Sequence, residues 1–305
     1  MHIRTFVIPF CLLCNYGLAQ VSVVSIEKLL VGSSQAWSHP QFSPDGASVF
    51  FTTQTLQGIW RYSLRDSNVA LITSDAGAGN SFSFSGDGKQ IAYRRTTYAR
   101  GSRQRKQEIV LKNLAGNRSF VIASAASLSN PTFQDKQVVY SVGPNVKNLK
   151  PMKGVNDITI LGIEDTKIAL NMNGKKTLLD PFGKGSYIWP SLSPDKQSVL
   201  AYEMSRGTFI STVKGKIQTT LGRRNAPVWT RDGRWIVFMD DKDDGHRIVT
   251  SDLYCISPDG SKTVQLTNTP DVIELYPHCS PVENRIVCAS AVGEIFMITY
   301  QSVGE

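Results

Sequence analysis

A short phrase recurs six times along the chain: a proline, an apolar or aromatic residue, a turn of the Ser-Pro-Asp-Gly type, then a strand that alternates apolar and polar residues. The fullest copy is Pro40-Gln41-Phe42-Ser43-Pro44-Asp45-Gly46-Ala47-Ser48-Val49-Phe50-Phe51, and weaker ones span 81–93, 131–140, 190–202, 227–238 and 277–288. Their starts lie 37 to 59 residues apart, a period at which each repeat is one supersecondary unit of a solenoid or propeller. The turn chemistry fixes a hairpin. Proline presets φ, aspartate binds neighbouring backbone amides, and glycine supplies the left-handed conformation that lets two strands close with their natural twist.

A hairpin alone is too small to be stable. The sequence supplies two further strands after most copies, at 59–64 and 69–73, 108–114 and 119–123, 208–213 and 216–221, and 252–257 and 263–267. Four strands per repeat make a propeller blade. The third copy is the weakest, and its long tail, 143–180, has room for extra strands. The sixth runs out one strand short, after 294–300, while an apolar stretch at 21–31 precedes the first copy. The predicted fold is therefore all-β: a six-bladed β-propeller whose last blade is completed by an N-terminal strand, closing the ring without an exposed edge. The tetrapeptide Ser257-Pro258-Asp259-Gly260 falls between the third and fourth strands of blade five and does not count as a blade start.

The first nineteen residues read as a secretory leader. Arg4 precedes an apolar run at 6–14, and Gly17-Leu18-Ala19 places small residues before Gln20. The domain boundaries are thus 1–19 for the leader and 20–305 for the propeller. The apolar run is too short to span a bilayer, no other stretch approaches the necessary length, and the reading is a periplasmic or secreted protein with no transmembrane segment. Lipid attachment at Cys14 is disfavoured by Leu13, where such sites take a small residue. Of the later cysteines, Cys255, Cys279 and Cys288, the last two flank one hairpin and are open to a disulfide or to burial as free thiols. The net charge of +8 favours an acidic protein or anionic envelope polymer over nucleic acid, which an exported chain does not meet.

The blade turns, together with Asp252-Leu253-Tyr254-Cys255-Ile256-Ser257-Pro258-Asp259-Gly260 running into Gln265-Leu266-Thr267-Asn268, resemble the six-bladed propeller repeats of TolB-like proteins over roughly residues 37–300. That resemblance implies a periplasmic or cell-surface propeller that binds other proteins without catalysis. The chain departs from the periplasmic Tol component by having only about seventeen residues between leader and first repeat, too few for that protein's separate amino-terminal domain. A stand-alone monomeric propeller of the same superfamily is the expectation.

Two loops stand out, and both join second to third strands, which places them on one face. The loop in blade two carries Arg94, Arg95, Tyr98, Arg100, Arg103, Arg105 and Lys106; that in blade five carries Asp240, Asp241, Asp243, Asp244 and His246. The predicted face has a cationic lip across the axis from an anionic one, with all twelve residues as binding candidates. Asp240, Asp241, Asp243 and Asp244 are also candidate ligands for calcium, a possible cofactor, although their spacing is not that of an EF-hand. An alternative reading is a metal-dependent propeller enzyme of polysaccharide lyase or hydrolase type. Against it, His39, His246 and His278 lack metal-ligand spacing; a serine peptidase is disfavoured separately, because no Gly-x-Ser-x-Gly elbow is present. Among the aromatic residues, Trp189 and Trp229 read as packing between blades, whereas Trp60 and Tyr98 are not needed for it.

Overall fold

The computed structural model describes residues 20–303 apart from 32–34, 99–103, 117, 135, 144 and 148–157, so the leader reading lies outside the described residues. Each copy of the phrase folds into the inner hairpin of one antiparallel sheet. Blade one is built from Trp37–Phe42, Ser48–Thr53, Ile59–Ser63 and Val69–Thr73; blade two from Phe82–Phe84, Gln90–Tyr98, Arg105–Asn113 and Ser119–Ala125. Blade four comprises Tyr187–Leu192, Ser198–Glu203, Gly207–Thr212 and Ile217–Gly222, and blade five Asn225–Trp229, Ile236–Asp243, Ile248–Ile256 and Thr263–Gln265. Blade three shows three strands, Thr132–Gln134, Gln137–Val142 and Asn145–Lys147.

The tail of the third copy does hold extra strands. Ile158–Glu164, Lys167–Met172 and Lys175–Leu179 form a three-stranded sheet of their own. It stands in the ring between blades three and four. Val139 of blade three packs on Leu161 and Ala169 of this sheet, and Ile168 and Leu170 on its other side pack with Val199 and Phe209 of blade four. The ring thus holds the six phrase-bearing blades and, in addition, this interposed sheet.

The N-terminal strand closes the ring. Gln20–Leu30 pairs antiparallel with Ile295–Val303 as the outer strand of blade six, whose inner strands are Arg285–Ser290 and Glu274–Cys279. Blade six then packs Val287 and Met297 against Trp37, Phe42 and Val49 of blade one. Such junctions carry the stability: each fully buried Ile or Phe contributes about 1.5–3 kcal/mol, and one apolar cluster fills each space between neighbouring sheets.

The turns repeat atom for atom. Ser43 Oγ donates to Asp45 Oδ1 (2.6 Å), Asp45 Oδ1 accepts the Ala47 N–H (3.0 Å) and Ser43 Oγ accepts the Ser48 N–H (3.0 Å). The same three bonds recur at Ser85 and Asp87, Ser193 and Asp195, Thr230 and Asp232, and Ser257 and Asp259. The fourth residue is left-handed every time, with φ of 67° at Gly46, 69° at Gly233 and 58° at Lys196.

Candidate functional site

Strand pairing makes residue 53 of blade one equivalent to Arg95 of blade two, Asp240 of blade five, Glu203 of blade four and Ser290 of blade six. In blades one, four and six the second strand stops there. In blades two and five it runs three residues further, to Tyr98 and Asp243, and the third strand follows it back. At about 3.3 Å per residue these hairpins rise about 10 Å above their neighbours. Both are second-to-third connections, so both rise on one face, and they stand on far sides of the ring.

The arm of blade two is anchored by arginine and tipped by charge. Arg95 donates to Glu108 (2.9 Å) and lies 3.2 Å from Asp75, which also accepts from the Tyr93 hydroxyl (2.7 Å). Arg94 points the other way along the pleat and donates to the Leu128 carbonyl. The two therefore tie the arm to the segments entering and leaving the blade. Beyond them, Tyr98 is exposed, Arg105 is held to Thr96 at 3.5 Å, and Lys106 lies 3.6 Å from Glu108. Arg100 and Arg103 lie outside the described residues.

In the arm of blade five, alternation along the strand puts Asp240 with Lys242 on one side and Asp241 with Asp243 on the other. Asp241 accepts from Asn225 Nδ2 (2.7 Å). Asp243 accepts the Gly245 N–H, and Asp244 accepts those of His246 and Arg247. These backbone bonds hold the Asp244 carboxyl below its ordinary pKa. Among the described residues no group of three or more His, Cys, Asp or Glu is placed to hold a metal ion.

The first strands of blades one, four, five and six line a cavity of about 230 Å³, with His39, Trp189, Tyr276 and His278 among its walls. His39, Trp189, Ala226 and Tyr276 each precede a proline of the phrase and each has positive φ, 45° to 55°. Each sits at a bulge in its strand pairing. The sequence names His39 and Trp189 but does not declare this conformation, because a residue before proline is ordinarily driven to extended backbone. The prolines themselves were the available signal. The His39 ring stacks on Tyr276 (centroids 3.9 Å apart), with Ser38 Oγ 2.8 Å from His39 Nδ1. His278 Nδ1 accepts the Phe42 N–H (3.3 Å), and burial lowers its pKa to about 4. A neutral His278 is thus a fixture of the cavity wall.

Two further features are buried. Cys255, Cys279 and Cys288 are all free and buried, and burial pushes the Cys255 thiol up to about 12, which keeps it unreactive. Glu274 opens the first strand of blade six almost fully buried. Its Oε1 accepts from Thr269 Oγ1, its Oε2 has no partner among the described residues, and burial raises its pKa to about 7.

No family model matches the chain, and no curated protein matches it in sequence. Solved structures do match it in fold. The WD40 β-propeller domain of Doa1 aligns with a TM-score of 0.60 at 13% identity, over 92% of this chain and 97% of that one. TolB from Acinetobacter baumannii aligns at 0.51 and 17% identity, over 77% of this chain and 55% of that one. An oligogalacturonate lyase in complex with manganese aligns at 0.51 and 13% identity, over 88% and 78%. At these identities the likeness defines the fold alone, a β-propeller. Among the described residues no helix is long and apolar enough to cross a membrane.

Proposed function

We propose that the protein is a non-catalytic binding scaffold of the cell envelope, periplasmic or secreted, that holds a protein or an anionic envelope polymer over its two-armed face. The carrying observation is the pair of hairpins that, among the described residues, alone of the phrase-bearing blades extend past the rim, one tipped by Tyr98, Arg105 and Lys106 and the other by Asp243 and Asp244, with Asp240 at its base. Opposed charges on far sides of one face fix the register of a partner more than they add affinity. Arg94 and Arg95 support this reading as anchors that hold the cationic arm upright. The TolB-like fold and the leader read at 1–19 are consistent with an exported scaffold.

Two double variants test it, Arg105→Glu with Lys106→Glu and Asp240→Lys with Asp243→Lys, each used to capture partners from an envelope extract of the source organism. The expected result is one partner recovered by the parent protein and lost, or weakened about tenfold, in both variants with unchanged melting. Equal capture by parent and variants would remove the arms from the account. Calorimetric titration with calcium belongs to the same experiment: a thermal shift abolished by Asp243→Asn would add an ion to the acidic arm.

The rival is a metal-dependent enzyme on an acidic polysaccharide. It draws on the convergence of His39 and His278 on one cavity, residues the sequence leaves far apart. Depolymerisation of polygalacturonate in the presence of manganese, lost in His39→Ala, would establish it in place of the scaffold.

A further inference from the structure

A second concavity lies on the rim of blade one, on the face that carries the arms, and is built from blade one's own second-to-third connection. It measures about 600 Å³, within the roughly 300–1,000 Å³ of small-molecule sites. Among the described residues its lining is uncharged throughout, in a chain whose residues are 19% charged. Gln35, Gln54, Gln57, Thr53 and Thr55 supply amides and hydroxyls, and Trp60 with Leu71 supplies an apolar floor.

The floor is rigid. Phe51 in the core holds Trp37 edge-on at 5.0 Å, and Trp37 in turn holds the Trp60 ring at 5.1 Å. Gly58 lets that ring settle: a Cβ there would meet Trp60 Cη2 at 2.8 Å, and its φ of +66° suits glycine. The polar wall is ordered as well. Thr53 Oγ1 accepts the Gln57 N–H (3.1 Å) and lies 3.0 Å from Thr55 Oγ1, while Gln57 Nε2 donates to the Thr55 carbonyl (3.3 Å). Gln54 Nε2 donates to the Ala291 carbonyl (2.9 Å) of blade six. Each of these two amides thus keeps its Oε1 available as an acceptor, aligned by the bond its nitrogen makes.

We propose that this groove is a binding site for a neutral saccharide, with a pyranose ring against Trp60 and its hydroxyls bonded to the glutamine and threonine wall. The chemistry selects that class. An aromatic ring presents an apolar face to the C–H side of a sugar, amide and hydroxyl groups match alcohols, and the absence of any cation leaves nothing to neutralise a phosphate or carboxylate. A rim of hydrogen-bonding groups discriminates strongly against ligands that cannot pair with them. The proposal uses no residue of the two arms and stands or falls separately from them.

The test is calorimetric titration of the full chain with cellohexaose, maltohexaose and chitohexaose, with polygalacturonate as the charged comparison and Trp fluorescence as a second readout. At least one neutral hexasaccharide is expected to bind, to perturb Trp fluorescence, and to bind at least about tenfold more tightly than the charged polymer. Trp60→Ala is expected to abolish this binding. Because that change also removes packing on Trp37, the surface variant Gln35→Leu with Gln57→Leu, which leaves the aromatic ladder intact, is expected to weaken it about tenfold without altering the melt. Absence of binding by all three hexasaccharides at millimolar concentration, or equal binding by the double-leucine variant, would overturn the proposal.

Discussion

Lysine 196 occupies a position that wants glycine. In the turn of blade four it takes the left-handed conformation, φ 58°, that Gly46, Gly88, Gly233 and Gly260 take in the same turn elsewhere. A side chain in that conformation costs about 1–2 kcal/mol, and glycine returns part of the gain through the greater freedom of its unfolded chain. Lys196→Gly is therefore expected to stabilise the protein by about 0.5–1 kcal/mol in denaturant unfolding; a loss of stability would show that the lysine side chain makes a compensating contact. Glu274 offers the opposite case. Its pKa is raised by burial from 4.5 to about 7, so between those values the folded state binds more protons than the unfolded one, and stability falls as pH rises through the window. Glu274→Gln keeps the acceptor for Thr269 and removes the charge. It should raise stability by about 2–3 kcal/mol at pH 8 and leave it nearly unchanged at pH 4, as read by melts at the two pH values. Neither residue declared itself in the sequence: Lys196 because the turn was recognised from its neighbours, Glu274 because burial of a carboxylate depends on packing from blade five.

At the scale of the element, the two arms illustrate what a linear pattern can and cannot say. The clustering of charge at 94–106 and 240–247 was visible at once, and so was the shared face, which follows from strand order. What the sequence did not separate was anchor from tip. Arg94 and Arg95 look identical in sequence, yet the pleat sends them to opposite sides, one to Leu128 and the other between Asp75 and Glu108. Arg95→Ala is accordingly expected to cost about 1–2 kcal/mol, because it strips a partly buried guanidinium from two carboxylates, whereas Arg105→Ala should leave stability within about 0.5 kcal/mol of the parent. Thermal melts of the two single variants decide; equal effects would mean that the arm has no anchoring end. The interposed sheet is the complementary lesson. It lacks the proline and the Asp-Gly turn, so a search for the phrase passes over it, but it carries Asn173-Gly174 with φ of 52° and 87°, the strongest short-range signal for a two-residue hairpin.

For the whole molecule the decisive feature is closure, and it was legible because a chain that ends one strand short and begins with one to spare has a single economical solution. Gln20–Leu30 lies along Ile295–Val303, buries Val21 in the junction with blade five, and sets Lys28 2.7 Å from Glu294 and over the Phe296 ring. Without it, Ile295–Val303 would present a bare edge of unpaired amides and carbonyls on a long apolar strand, a template for pairing with another chain. In a ring, that damage is not local: each blade is held by two neighbours, and loosening the closing sheet loosens the junctions on both sides of it. Removal of residues 20–30 is expected to lower the melting temperature by about 7 °C, since a strand worth about 4 kcal/mol shifts a domain of this size by roughly that much. Association that grows with protein concentration should accompany the loss, and a synthetic peptide of the same eleven residues added in trans should reverse both. A truncated protein that melts with the parent and sediments as a single monomeric species would mean that the remaining sheets hold the ring shut by themselves.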